Sequence, residues 1–164
     1  MGEEKSIELS AVEIVEYGII IICIYRSPDG KINIFFEKLE MIIQKLIDKH
    51  KTLILCGDWN INLLQSSNHA KEMNNLLLRY NLKCLVNAPT RITENTASLS
   101  DVIIINEDKY ANSLNIMDFG LSDCYAQSIS IPSPEIKKIP YKTKKRKFNE
   151  VNTQEFLHSL KQIT

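Results

Sequence analysis

The chain has 164 residues, 44% of them hydrophobic and 24% charged, with five glycines and five prolines. That is enough for one domain with a buried core, and too ordinary for a disordered or fibrous chain. Twenty basic residues balance twenty acidic ones, so net charge neither selects nor excludes a nucleic-acid partner.

In chain order, Met1-Gly2-Glu3-Glu4-Lys5 is charged and has no apolar stretch behind a basic start, so no secretory signal is expected. Ala11 to Glu16 and Ile19 to Tyr25 are β-rich and meet at Tyr17-Gly18, which predicts a hairpin. The longest apolar run, Gly18 to Ile24, is far shorter than the ~18 residues of a membrane span and reads as a buried strand. Ser27-Pro28-Asp29-Gly30 is a turn by composition. From Asn33 the period changes: Phe35, Leu39, Ile42 and Leu46 recur at helical spacing. Lys51 to Cys56 reads as a short strand broken by Gly57-Asp58-Trp59-Asn60. Met73, Leu76, Leu77 and Tyr80 predict a second helix, followed by a strand at Leu82 to Val86. Asn87 to Ala97 is polar and reads as a loop. Strands are expected at Leu99 to Ile105, Ser113 to Met117 and Tyr125 to Ile131. Helices and strands alternate early while later strands follow one another directly, so the fold class is α/β with a mixed sheet. The cysteines, Cys23, Cys56, Cys84 and Cys124, are far apart and form no Cys-x-x-Cys. They point to reduced thiols in an intracellular protein, nuclear or cytosolic, rather than to a zinc knuckle or disulfide scaffold.

The zero net charge conceals an asymmetry. Up to Ile136 there are 12 basic and 18 acidic residues; from Lys137 onward there are 8 basic and 2 acidic. Most of the excess lies between Lys137 and Lys147, which reads either as a solvated linker or as a phosphate-contacting or nuclear-import segment. With Pro132, Pro134 and Pro140 it sets a domain boundary, giving a body over 1–131 and a basic linker over 132–151. Residues 152–164 then begin a helix of a following region, with Asn152-x-x-Glu155 as its cap and Phe156, Leu157, Leu160 and Ile163 on one side.

Several acids sit where strands begin or end: Asp58 after Thr52 to Cys56, Asp101 at the start of the Val102 to Ile105 run, and Asp123 before the last strand. One such acid alone is most simply a turn residue. Together, on loops held by a rigid sheet, acids of this kind build divalent-metal and phosphate sites. Gly57-Asp58-Trp59-Asn60 adds an amide two residues beyond a carboxylate, able to converge with it on one phosphate or water. Pro89-Thr90-Arg91 leads through Ser98-Leu99-Ser100 to Asp101, and Leu121-Ser122-Asp123-Cys124 closes the body.

With Ile24-Tyr25-Arg26-Ser27-Pro28, these blocks in this order resemble the endonuclease/exonuclease/phosphatase superfamily, in particular the apurinic-like endonuclease domain of non-LTR retrotransposons of the long interspersed element type. The resemblance runs from about Ser10 to Ile131, and Arg146 to Leu160 resembles the stretch between endonuclease and reverse transcriptase. It implies a four-layer α/β sandwich that hydrolyses DNA phosphodiesters with a bound divalent cation, magnesium or manganese, with no membrane partner and a reverse transcriptase region downstream in the parent protein. By the same resemblance, Asp58 prepares the attacking water, Asn60 orients the phosphate and the Tyr25 hydroxyl reaches it. Asp123 is the acid at the metal, and Asp101 the acid that orients a histidine. A carboxylate, ionised at neutral pH, needs no unusual pKa to act as a base. Arg91 is either a phosphate-backbone contact, which suits a guanidinium, or a surface side chain.

Two departures stand out. The family pattern ends Ser-Asp-His, whereas this chain has Ser122-Asp123-Cys124; a thiol with a reference pKa of ~8.5 carries no positive charge. None of His50, His69 and His158 is placed to replace that histidine. The family's N-terminal strands, with an asparagine and the metal-holding glutamate, also have no counterpart before Ser10, where Glu3, Glu4 and Glu8 lie in a charged, frayed start. The expected fold is therefore a truncated four-layer sandwich, poorly stable alone, with Ile19 to Ile24 and Val102 to Ile105 left with open edges or faces. The function this implies is an inactive endonuclease-derived domain. An active metal-dependent endonuclease, a non-cleaving nucleic-acid-binding module and a scaffold that pairs through its open sheet are the alternatives.

Overall fold

The computed structural model describes residues 6–48, 50–106, 113–120, 122–131 and 150–161. The chain divides into two units, Met1–Ser133 and Pro134–Thr164. The basic run from Lys137 to Lys147 and its flanking prolines, and Glu3 and Glu4, lie outside the described residues.

The first unit is built on a five-stranded mixed sheet. β1 (Glu8–Ile14) pairs antiparallel with β2 (Ile19–Tyr25) as the expected hairpin, through a single 3-10 turn and Gly18 at φ 60°, a conformation glycine adopts without steric cost. β1 begins at Glu8, opposite Tyr25, so Glu8 belongs to the sheet rather than to a frayed start. β2 leads into helix α1 (Ile32–Leu46), which returns the chain to β3 (Thr52–Asp58), parallel to β2. α1 buries Phe35, Phe36, Leu39 and Ile43, the stripe that the spacing predicts shifted by one residue at its end.

Helix α2 (Asn68–Arg79) is capped by Ser67, whose Oγ accepts the Ala70 N–H at 3.1 Å, and buries Ala70, Met73, Leu76 and Leu77. Tyr80, the residue that caps its C-terminus, donates its hydroxyl to Glu40 at 2.8 Å and accepts from Gln44 at 2.7 Å, which ties the two helices together on one side of the sheet. The strand expected from Leu82 to Val86 shortens to β4 (Lys83–Cys84), extended by the Leu85 N–H to the Ile103 carbonyl at 2.8 Å. Within the expected loop, β5 (Arg91–Ile92) and β6 (Ala97–Ser98) make a short hairpin that leads into β7 (Asp101–Ile105). The sheet order is β1-β2-β3-β7-β4.

Ile22, Ile24, Leu53, Leu55, Val102 and Ile104 join the helical residues in one apolar core. The other face receives the antiparallel pair β8 (Leu114–Met117) and β9 (Ala126–Ile129). Leu114, Ile116 and Ile129 pack against the core, and Gln127 Nε2 donates to the Asp101 carbonyl at 3.1 Å. The architecture is an α/β sandwich: helices, a five-stranded sheet, and the two-stranded β8–β9 sheet, with the small β5–β6 hairpin beside them among the described residues.

The expected open edges fall elsewhere. β2 and β7 are both interior strands, and Val102 to Ile105 are fully buried because the sheet is covered on both sides there. The open edge is β1, exposed from Glu8 to Glu13, and on β2 only Cys23 and Tyr25 are exposed. In the second unit, α3 (Glu150–Lys161) begins two residues before Asn152, which therefore lies within its first turn instead of capping it. Val151, Phe156 and Leu157 are exposed on it.

Candidate functional site

The site is assembled at the end of the sheet where β2 and β3 finish and β7 begins. Tyr25 ends β2, Asp58 ends β3, and Asp101 opens β7 directly across from Asp58. The Arg26 N–H donates to the Asp58 carbonyl at 3.0 Å and holds the two parallel strand ends together. Just before Asp58, Gly57 has φ 127°, and a Cβ there would collide with the Ile24 carbonyl. Glycine is required at this position because the backbones approach too closely for any side chain.

The turn after Asp58 is fixed from three sides. The Trp59 N–H bonds to the Ser100 carbonyl at 2.9 Å, and its buried indole packs edge-on against Phe35 with ring centroids 5.8 Å apart. Asn60 takes a left-handed φ of 49°, which asparagine tolerates, and its N–H donates to Asp58 Oδ1 at 3.0 Å. Its side-chain Nδ2 donates to the Arg26 carbonyl at 2.7 Å.

Arg26 completes the frame. It is 5% exposed, and donates Nε to the Trp59 carbonyl and Nη2 to the Asn60 carbonyl, each at 2.7 Å, and Nη1 to the Ser27 and Gly30 carbonyls. Burial lowers its pKa, opposed by the nearby Asp58 and Tyr25. Sequence reasoning assigned Arg26 no role, although it sits inside one of the blocks that carried the resemblance. One buried guanidinium thus ties the Trp59-Asn60 turn to the turn from Ser27 to Gly30.

A second group meets Asp101. Thr90 is fully buried; its hydroxyl donates to Asp101 Oδ2 at 3.0 Å, so this carboxylate has a hydroxyl donor where the resemblance sets a histidine. Burial pushes the Asp101 carboxyl above the usual range, reinforced by the Asp58 charge and opposed by the Thr90 and Ser100 hydrogen bonds. Neighbouring Arg91 bridges Cys124 through its backbone and donates Nε to Asp123 Oδ2 at 2.7 Å. That bond, with the Arg91 charge, holds the Asp123 carboxyl below its ordinary value.

Cys124 is exposed, with Sγ 3.8 Å from Asp123 Oδ1. Partial desolvation and the charges of Asp101 and Asp123 raise its pKa, against Arg91. His50 lies in the turn before β3 and His69 in the first turn of α2. All seven predicted residues of the first unit, Tyr25, Asp58, Asn60, Arg91, Asp101, Asp123 and Cys124, thus lie on the segments that meet at this end of the sheet. Among the described residues, no three His, Cys, Asp or Glu side chains form a group that could hold a metal ion. One oxygen of the Asp123 carboxylate is engaged by Arg91.

Residues 19–123, well over half of the chain, match the Endonuclease-reverse transcriptase family. The chain belongs to that family, within the endonuclease/exonuclease/phosphatase superfamily. Comparison with curated proteins gives no match. Among solved structures, the chain is similar to the endonuclease domain of TRAS1, a telomere-specific non-LTR retrotransposon, at 18% identity and a TM-score of 0.62 over 78% of this chain and 65% of that one. It is also similar to an AP endonuclease from Archaeoglobus fulgidus, at 14% identity and a TM-score of 0.57 over 76% of this chain and 65% of that one. A third likeness is to the 3′ phosphatase NExo from Neisseria bound to a product DNA hairpin, at 15% identity and a TM-score of 0.58, again over 76% and 65%. These likenesses establish the fold, and the chain spans less than two thirds of each of these structures. No helix among the described residues is long and apolar enough to cross a membrane.

Proposed function

We propose that this chain is a retrotransposon-derived endonuclease domain whose ancestral chemistry is divalent-metal-dependent hydrolysis of DNA phosphodiesters, and that it is catalytically silent as it stands. The observation that carries this reading is Cys124, a thiol where the resemblance sets a histidine, beside an Asp123 carboxylate paired with Arg91. In this reading Asp58 is the ancestral acid that takes a proton from water, and Asn60 and Tyr25 are the ancestral phosphate contacts. Asp101, bonded to Thr90, has no imidazole to steer. Loss of one donor to a developing oxyanion costs on the order of 10²–10³ in turnover. α3 falls in the stretch read as joining an endonuclease to a reverse transcriptase region of the parent protein.

Nicking of supercoiled plasmid with magnesium or manganese tests this, comparing the parent chain with Cys124→His and Asp58→Ala. The expected result is no nicking by the parent. Nicking by the parent that Asp58→Ala abolishes would establish a working site and overturn the proposal. Binding without cleavage is favoured by one feature, the half-exposed Arg91 guanidinium: a phosphate that displaces Asp123 gains a bidentate partner. Such binding is salt-sensitive and survives chelation.

A further inference from the structure

Cys23 on β2 and Cys56 on β3 are register partners across parallel strands, so both side chains leave the same face of the sheet. Cys56 Sγ donates to the Ile22 carbonyl at 3.6 Å, and burial, with Cys23 beside it, pushes the Cys56 thiol up to about 11. Cys23 is exposed and Cys56 half-buried. The strand neighbours of this face keep it open: Ser10, opposite Cys23 on β1, is exposed, and so is Tyr25 two residues further along β2. The other two cysteines stand on separate elements, Cys84 donating to the Val86 carbonyl at 3.4 Å and Cys124 beside Asp123.

Register partners on parallel strands lie ~4.8 Å apart with side chains that run side by side. A direct disulfide needs the Cβ atoms at ~3.8 Å and the sulfurs at ~2.05 Å, so it would draw the strands together, and it would need an oxidant. One bridging atom bonded to both sulfurs spans the gap without moving the backbone. Soft, thiophilic centres prefer such a pair of thiol ligands.

We propose that Cys23 and Cys56 form a two-thiol binding site for trivalent arsenicals. Two As–S bonds form and two As–O bonds break; the two thiol protons leave with the oxygens as water, and no atom changes oxidation state. The bound centre sits one pleat step, about 6.6 Å along the strands, from Tyr25 and Asp58. The proposal is independent of the function argued above, since neither cysteine belongs to that site.

The test is intact-mass measurement of the folded full chain after treatment with phenylarsine oxide, followed by challenge with excess 2-mercaptoethanol or with 1,2-ethanedithiol. The expected result is one adduct that resists the monothiol and is removed by the dithiol. It should be lost in Cys23→Ser and in Cys56→Ala, and kept in Cys84→Ser and Cys124→Ser. Cys23 is exposed, so Cys23→Ser carries the test even where Cys56→Ala disturbs folding, and circular dichroism checks each variant. A monothiol-resistant adduct that persists in Cys23→Ser, or a parent adduct that the monothiol removes, would overturn the proposal.

Discussion

Arg91 Nε lies 2.7 Å from Asp123 Oδ2, and the next residue, Ile92, donates its N–H to the Asp123 carbonyl at 2.9 Å, so β5 and Asp123 are joined twice. The side chains are 51% and 38% exposed, so water and anions compete for the ionic half of this link while the backbone half holds the segments in place. Arg91→Ala should therefore leave the fold intact and let the Asp123 carboxyl pKa rise toward the ordinary ~3.9. An NMR titration of the aspartate carboxyls reads this directly. An unchanged Asp123 titration in the variant would mean that the pair is not populated in solution.

Asp101 carries the opposite shift. A carboxyl whose pKa is raised on folding binds its proton more tightly in the native than in the unfolded chain. Its effect on stability is thus absent in acid and destabilising once pH rises above the unfolded value of ~3.9 and through the folded one. Asp101→Asn keeps an acceptor for Thr90 and removes the charge facing Asp58. Its midpoint of unfolding should exceed the parent's at pH 7, with the gain vanishing below about pH 3. Thermal melts at the two pH values check it; an equal gain at both would assign the effect to something other than ionisation.

Arg26 closes four backbone carbonyls with one planar group. Lysine in its place presents a point charge that cannot reach the Trp59 and Asn60 carbonyls together. Arg26→Lys should cost about 2–3 kcal/mol, because buried acceptors are left unsatisfied. Urea unfolding measures it. A loss within experimental error would show that the turn is held by Asn60 and Trp59 alone.

The outer edge of the sheet offers the unpaired N–H and C=O groups of β1 beside Leu9 and Val12, which are 51% and 56% exposed. Such an edge recruits other strands unless it is charged or covered. Val12→Lys should suppress concentration-dependent light scattering while changing the unfolding midpoint little, since Val12 buries little surface. Undiminished scattering would direct attention away from β1.

The helices and the order of the blocks were legible because both depend on neighbours in sequence: Phe35 and Leu39 repeat at helical spacing, and Gly57-Asp58-Trp59-Asn60 carries its own turn chemistry. The start of β1 was not. An exposed edge strand needs no apolar alternation, only a backbone partner, and Glu8 finds one in Tyr25. The β5–β6 hairpin is likewise fixed by distant contacts, through Thr90 to Asp101 and Arg91 to Asp123. At the site, the acids could be picked out by their positions at strand ends. The residues that set them, Arg26 and Thr90, could not, because their partners lie 33–34 and 11 positions away in the chain.

Trp59 is the only tryptophan in the chain, and it stands between Asp58 and Asn60. Its indole is 1% exposed, edge-on to Phe35, and its backbone is held by Ser100 and Arg26. The protein therefore contains a single indole fluorophore, excitable selectively near the red edge of protein absorption, at the turn where the candidate residues converge. A shift of its emission maximum toward the red reports water reaching that turn, and an unchanged maximum on adding a nucleic acid or an anion reports a turn already set before anything arrives.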